Sequence, residues 1–385
     1  MRPFLIDIAD DDLQDLRRRL ENTRWPDAGT RTDRTQGLAL SLVQELCEEW
    51  AHGYDWPRTQ RRLNRIPQFV TRIDGLDVHF LHVRSVDPDA TPLLLTHGWP
   101  GSFLEYEDAL EPLTSGEPAF HVVVPSLPGY GFSGKPVEPG WTVHRIANAW
   151  AALMAELGYP EFVASGSDWG TSISTCIGMQ HPQRIFGIHL VPPLAAPDPG
   201  EVPTPAERDA RDELAQRAAQ GSAYSAVHQT RPQTIGYALA DSPAALLAWI
   251  GEKLLAWTDG EVLTRRQIFD NLSLYWFTRS GASSARLYAE SIAEVSAWFT
   301  DPDALPRIEV PTAATVFPRE VPRPSRHWAE HRYTQIVHWG EPARGGHFGA
   351  WEQPDVFVQE VRKSLQSMKK ARGRVVSRAR AHTDQ

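Results

Sequence analysis

Val163-Ala164-Ser165-Gly166-Ser167-Asp168-Trp169-Gly170 decides how this chain is read. A short apolar run ends in small residues, and a helical pattern follows at once from Thr171 to Gln180. This is the shape of a nucleophile elbow, Gly-x-Nu-x-Gly, whose strained strand-to-helix turn tolerates only small neighbours. With glycines at 166 and 170, the nucleophile position is Asp168. Neither Ser165 nor Ser167 has a glycine two residues away on both sides. A carboxylate at that point attacks an sp³ carbon and forms an ester, rather than transferring an acyl group. The plain alternative is an aspartate that only caps the helix.

Outward from the elbow, short apolar runs alternate with helical stretches. Phe69–Ile73 and Leu76–Val83 flank Asp74-Gly75 and predict a hairpin. Leu93–Thr96, Val122–Pro125, Phe162–Ala164 and Ile185–Leu190 follow, with helices expected over Phe103–Leu113, Val143–Leu157 and Thr171–Gln180. Alternation of this kind means βαβ units around a buried, mostly parallel sheet. It breaks after Val191-Pro192-Pro193 and resumes at Thr312–Phe317 and Thr334–His338, before a last helix from Pro354 to Met368.

The expected organisation is therefore one α/β core, 76–193 and 296–366, with a helical lid, 194–295, inserted after the sixth strand. Residues 1–75 read as a helical segment packing on core and lid. Helices are expected from an Asp10 or Asp11 cap to Trp25-Pro26, over Leu38–His52 and over Trp56–Ile66. The basic stretch 367–385 reads as a frayed, solvated end.

Composition narrows the classes. Hydrophobic residues are 41% and charged residues 23%, which excludes wholesale disorder. Two cysteines, Cys47 and Cys176, exclude a disulfide framework and a cysteine-based zinc site. A net charge of −9 argues against a nucleic-acid partner. The start carries no secretory signal and no apolar run spans a membrane, so a cytoplasmic location is expected. Only five of the 39 basic residues are lysines, a bias that GC-rich bacterial genomes produce.

Three further stretches carry chemistry. Thr96-His97-Gly98-Trp99-Pro100-Gly101 ends the third expected strand. A loop there supplies one oxyanion-hole N–H and the residue after the nucleophile supplies the other, which names Trp99 and Trp169. His97 reads as a residue that pins this loop. Arg344-Gly345-Gly346-His347-Phe348 lies between the last strand and last helix, where the chain order nucleophile, acid, histidine puts the base. Glu320, at the end of the seventh strand, is the acid that orients the imidazole; Asp301 and Asp303 precede the strand and are weaker candidates.

Taken together, His97–Ser102, Pro125-Ser126-Leu127-Pro128-Gly129-Tyr130-Gly131-Phe132-Ser133, Gly166–Gly170 and Gly345–Phe348 resemble the epoxide hydrolases of the α/β-hydrolase fold. The N-terminal segment with Thr23-Arg24-Trp25-Pro26 is similar to the branch containing the microsomal and juvenile-hormone enzymes. The resemblance runs from about residue 2 to 365, and departs at Ser167, where many relatives have glycine, and at Gly349, where many have alanine. Unlike the animal members, this chain is expected to lack a membrane anchor.

The resemblance implies two lid tyrosines that hold and protonate an epoxide oxygen. Tyr224–Thr234 matches the family segment that begins with the first, and Tyr275–Tyr288 the one that ends with the second, which maps Tyr224 and Tyr288; Tyr237 and Tyr275 are nearby decoys. It further implies a vicinal-diol product through a hydroxyalkyl ester on Asp168, no cofactor and no metal. The substrate is expected to be a small apolar or aromatic epoxide held by Trp99, Trp169, Tyr224 and Tyr288, with lid tryptophans Trp249, Trp257 and Trp276 adding to an apolar pocket. Relatives in GC-rich bacteria include enzymes of secondary metabolism, enediyne biosynthesis among them. A homodimer is left open. The rival readings are a haloalkane dehalogenase, which needs no oxygen acid; a serine esterase, which needs Ser165 or Ser167 as nucleophile; and a non-catalytic hydrolase-fold binding protein.

Overall fold

The computed structural model describes the chain except residues 32, 198, 199, 261, 305, 384 and 385, with side chains through Gly373. Among the described residues, nine strands form one sheet: β1 (Arg2–Pro3), β2 (Gln68–Ile73), β3 (Leu76–Val83), β4 (Thr91–Thr96), β5 (Phe120–Pro125), β6 (Phe162–Ser167), β7 (Ile185–Val191), β8 (Thr312–Thr315) and β9 (Ile336–Gly340). Their order is β1-β2-β3-β5-β4-β6-β7-β8-β9. The first four in this order are antiparallel neighbours, and every pair from β5 to β9 is parallel.

The continuous apolar runs end up where both faces of the sheet are covered. Leu93, Leu94, Leu95, Val122, Val123 and Val124 are completely buried. Each such side chain contributes on the order of 1.5–3 kcal/mol. Parallel pairing in register, Thr96 opposite Gly166, brings the ends of β4 and β6 to one edge. The elbow and its facing loop emerge there side by side.

Several expectations are corrected. The N-terminal Arg2–Pro3 pairs with Phe69 and Val70, so the lid follows the seventh strand rather than the sixth. The first helix, Asp10–Glu21, has Ala9 at its N-cap; Asp10, Asp11 and Asp12 sit inside the first turn, where they favour the helix dipole instead of capping. It stops before Trp25. The second helix ends at Glu48 and passes into a wider turn, Glu49–Gly53, and the third ends at Leu63. Phe103–Leu113 splits into a tight turn, Phe103–Tyr106, and a helix, Glu107–Ser115. The helix after the elbow starts at Trp169, two residues earlier than its apolar pattern suggests.

The stretch expected to fray carries on the last helix as far as Thr383, and its last two residues lie outside the described ones. The last helix runs unbroken from Pro354 to Thr383, with Met368 buried and Arg372 paired to Glu161 at 2.7 Å. Lid helices span Pro205–Gln220, Ala223–Thr230, Pro232–Asp241, Pro243–Ala256, Arg265–Phe277 and Ser280–Thr300. The N-terminal segment bonds directly to the lid. Trp50 Nε1 donates to Ser273 Oγ at 2.8 Å, and Arg62 pairs with the buried Asp270 at 2.7 Å. Among the described residues, no helix is long and apolar enough to cross a membrane.

Candidate active site

Asp168 sits at the turn from β6 into the Trp169–Gln180 helix with φ 53° and ψ −121°, a conformation that costs a non-glycine residue on the order of 1–3 kcal/mol. Its neighbours explain how the turn survives. A Cβ on Gly166 would stand 2.3 Å from Gly170, and one on Gly170 would stand 1.9 Å from the Thr96 carbonyl oxygen. A Cβ on Gly98 would lie 2.1 Å from Asp168 Oδ1. The small residues are thus required by contact, and they aim the carboxylate out of the sheet.

The Trp99 N–H donates to Asp168 Oδ1 at 2.9 Å, and the Trp169 N–H also bonds the carboxylate. His347 Nε2 lies 3.6 Å from Asp168 Oδ2. On the far side of the ring, His347 Nδ1 lies 3.0 and 3.1 Å from the two Glu320 oxygens. Both Glu320 and His347 are buried. Burial alone pulls the imidazole toward neutrality; the facing Glu320 carboxylate outweighs it and holds His347 above the usual histidine range. Burial pushes the Asp168 carboxyl up, against the opposing pull of His347 and the two N–H groups.

The lid closes this site from above. Tyr224 stacks on Trp99 with centroids 4.9 Å apart and planes 11° apart, and Tyr288 stands edge-on to Trp169 at 4.9 Å. The two phenol rings are 5.8 Å apart. Burial pushes the Tyr224 hydroxyl up to about 12 and Tyr288 well above its ordinary value, so both are neutral donors at physiological pH. A cavity of about 250 Å³ opens onto Asp168, Trp169, Tyr224, Tyr288, Glu320 and His347. Asp168, Trp169, Tyr224, Tyr288, Glu320 and His347 converge here as expected from sequence, whereas the Trp99 ring is fully buried against Tyr224 and is not on the cavity wall.

The other expectations sort cleanly. His97 is buried, bonded to Gly98 O at 3.1 Å and accepting from the Leu127 N–H at 3.2 Å; burial lowers it to about 4, and it pins the loop. Tyr275 donates its hydroxyl to Gly101 O at 2.9 Å, a structural hold on the loop that carries Trp99. Tyr237 is 70% exposed and remote from the cavity. Asp301 and Asp303 are exposed and do not touch the histidine. The lid tryptophans do not line the cavity; Leu194, Leu214, Ile292, Val295 and Phe299 form its apolar wall. Trp257 serves elsewhere, its carbonyl accepting the His347 backbone N–H at 2.9 Å.

Two residues escaped sequence reasoning. Arg217, from the lid helix Pro205–Gln220, lines the cavity, lies 4.5 Å over the Trp257 ring and donates to the Val321 carbonyl at 2.6 Å. Nothing distinguishes it among the arginines of an ordinary polar helix. Glu105 is 3% exposed, forms no ion pair with a lysine or arginine among the described residues, and faces Ser167 and the Ser102 N–H. A Cβ on Gly101 would stand 1.5 Å from its Oε1. Burial, reinforced by Asp168, pushes it up to about 8 despite the pull of His347, so it is a neutral acid near pH 7. The signal was available, since Glu105 interrupts the apolar run Phe103-Leu104-Glu105-Tyr106.

An elbow carboxylate, a histidine–carboxylate pair and a helical lid after the seventh strand define an α/β-hydrolase-fold enzyme. A model of the epoxide hydrolase N terminus matches residues 1–106, and one of the α/β-hydrolase fold matches 91–242. A Stigmatella aurantiaca protein provisionally named an epoxide hydrolase is 44% identical, the match covering 95% of this chain and 85% of that one. Epoxide hydrolase 1 of Oryctolagus cuniculus is 31% identical over 94% of this chain and 88% of its own. The structure of Aspergillus niger epoxide hydrolase superposes with a TM-score of 0.88 at 32% identity, covering 95% of this chain and 96% of that one. This chain belongs to the epoxide hydrolase family, in the branch with the N-terminal helical segment.

Proposed function

We propose that this chain opens an epoxide to a vicinal diol through an ester on Asp168, without cofactor or metal. The supporting observation is a carboxylate at the elbow, between two backbone N–H donors and an imidazole 3.6 Å away. An Asp168 oxygen attacks a ring carbon and the carbon–oxygen bond breaks. Tyr224 and Tyr288 hydrogen-bond the departing oxygen, and one phenol gives it a proton.

The second half uses the other side of the site. His347, held by Glu320, takes a proton from water, and the hydroxide adds to the ester carbonyl. The Trp99 and Trp169 N–H groups receive the oxyanion. Its collapse expels the diol oxygen, which takes the imidazolium proton; the resulting Asp168 acid returns its proton to the phenolate. Epoxide plus water thus gives diol, and the enzyme is restored. A dehalogenase has no use for two neutral phenols facing the nucleophile, and a serine esterase has no serine at the elbow position. The wall of Leu194, Leu214, Ile292, Val295 and Phe299 suits an apolar or aromatic epoxide, consistent with a secondary metabolite.

The test is a single turnover in ¹⁸O-water with styrene oxide. Label is expected in the Asp168 carboxylate, with unlabelled diol released first. Labelled diol with unlabelled Asp168 means direct attack by water and overturns the reading.

A further inference from the structure

On the far rim of the lid, Glu201 meets two histidines. Glu201 lies in the strap between β7 and the lid helix Pro205–Gln220. His327 and His331 are four residues apart on the core helix Arg326–Arg332, and so project from one face. Glu201 Oε2 is 2.5 Å from His327 Nε2, and Glu201 Oε1 is 4.0 Å from His331 Nε2. The two imidazole rings are 5.1 Å apart, and one ligand atom from each of the three residues falls within 4.8 Å of the others.

We propose that Glu201, His327 and His331 bind a divalent first-row transition metal ion that cross-links the lid strap to the core. Two imidazoles and one carboxylate suit zinc, cobalt or nickel rather than calcium or magnesium. Bond lengths of about 2.0–2.2 Å put the ligand atoms of a tetrahedral ion roughly 3.3 Å apart. The observed 2.5 and 4.0 Å straddle that spacing, so small side-chain rotations complete three corners and water takes the fourth.

The scaffold beneath is already bonded. Ser325 caps the histidine helix at the Trp328 N–H, 3.1 Å, and donates to Glu207 Oε1 at 2.6 Å. Glu207 in turn closes the capping box of the lid helix with Thr204. The two helix starts are therefore fixed relative to each other before any ion binds. A cavity of about 380 Å³ beside them, lined by Glu201, Glu207, Arg211 and His327, gives solvent access. The same lid helix carries Leu214, Arg217 and Ala218 onto the active-site cavity, so an ion at the strap would stiffen its rim.

A metal competes with a proton at His327. The carboxylates facing that ring are Glu201 from the strap, Glu207 from the lid helix and Glu330 from its own helix, with Arg211 on the opposite wall and His331 one turn along. Metal binding requires the imidazoles deprotonated, so affinity is expected to fall as pH drops.

The experiment titrates the full chain, stripped with EDTA, with zinc chloride in a calorimeter and with cobalt chloride by visible absorbance. One ion per chain is expected. His327→Ala, His331→Ala and Glu201→Gln should each weaken binding about tenfold or more, while His181→Ala, a surface histidine elsewhere, should not. Limited proteolysis of the strap should slow with zinc in the parent and not in the variants. No stoichiometric ion at millimolar metal, or equal affinity in the three variants, overturns the site. Unchanged affinity in Glu201→Gln alone overturns the cross-link. Glu201→Gln preserves shape at an exposed position, so a melting curve matching the parent's separates lost ligation from lost folding.

Discussion

The floor and roof of the active-site cavity are held by different forces. On the floor, Asp168, His347, Glu320 and the Trp99 N–H are fixed by polar contacts of 2.9 to 3.6 Å. On the roof, Tyr224 and Tyr288 meet the floor through ring contacts with Trp99 and Trp169. Hydrogen bonds weaken steeply with angle and distance. Ring packing tolerates sliding and reorientation at small cost. The floor is thus held in one geometry, and in the proposed mechanism the looser roof is a donor pair that follows an oxygen as it leaves a ring carbon.

The proposed mechanism divides along the same line, and mutation should separate the halves. The largest effect is expected at the floor's centre: Asp168→Ala should abolish turnover, with circular dichroism unchanged and no covalent adduct by mass spectrometry. His347→Gln should still form the adduct but hydrolyse it about 10²–10⁴-fold more slowly. A stable mass increase on the peptide holding Asp168 is the readout; an unmodified peptide after prolonged exposure to styrene oxide removes His347 from that role.

Roof variants should show the reverse pattern. Tyr224→Phe and Tyr288→Phe should each slow ring opening by about 10²-fold while leaving ester hydrolysis nearly intact, as followed by pre-steady-state tryptophan fluorescence. If hydrolysis slows equally, floor and roof are not separable.

Two smaller effects appear as pH profiles. Glu320 holds the His347 pKa up, so hydrolysis should fall as pH drops through that raised value and the imidazole takes a proton. Glu320→Gln should slow hydrolysis and move this acid limb to lower pH; a limb that stays in place assigns it to another group. Glu105 is neutral below about 8 and gains a buried charge beside Asp168 and His347 above it. That charge opposes the oxyanion, so hydrolysis should decline at alkaline pH. Glu105→Gln, locked neutral, should flatten the decline, and an unchanged alkaline limb refutes the effect.

Legibility follows the same division. The floor was readable because its chemistry imposes small residues at fixed spacing. Gly98, Gly166 and Gly170 are each demanded by an atom less than 2.5 Å from where a Cβ would stand. The βαβ alternation was readable because buried parallel strands are continuous apolar runs. The roof was reached through family resemblance, since a lid tyrosine looks like any core tyrosine until its neighbours are known. Arg217 and the β1 pairing depend on contacts far apart in sequence, and two residues carry no periodicity. The lid tryptophans misled because burial and cavity lining are different fates; Trp276 is buried yet not on the cavity wall. The basic stretch from 367 continues, as far as Thr383, a helix already anchored by Val361, Leu365 and Met368.

The bond from the His347 N–H to the Trp257 carbonyl, 2.9 Å, has a mechanical meaning. Nearby, the Gly345 N–H reaches Asp259 Oδ2 at 3.0 Å, and Glu352 accepts from the Asp259 and Gly346 N–H groups at 2.7 and 3.0 Å. The base-bearing loop and the middle of the lid are therefore one joint. A lid that lifted evenly would pull His347 away from Asp168 with every cycle. A lid that swings about this joint would leave the imidazole aimed.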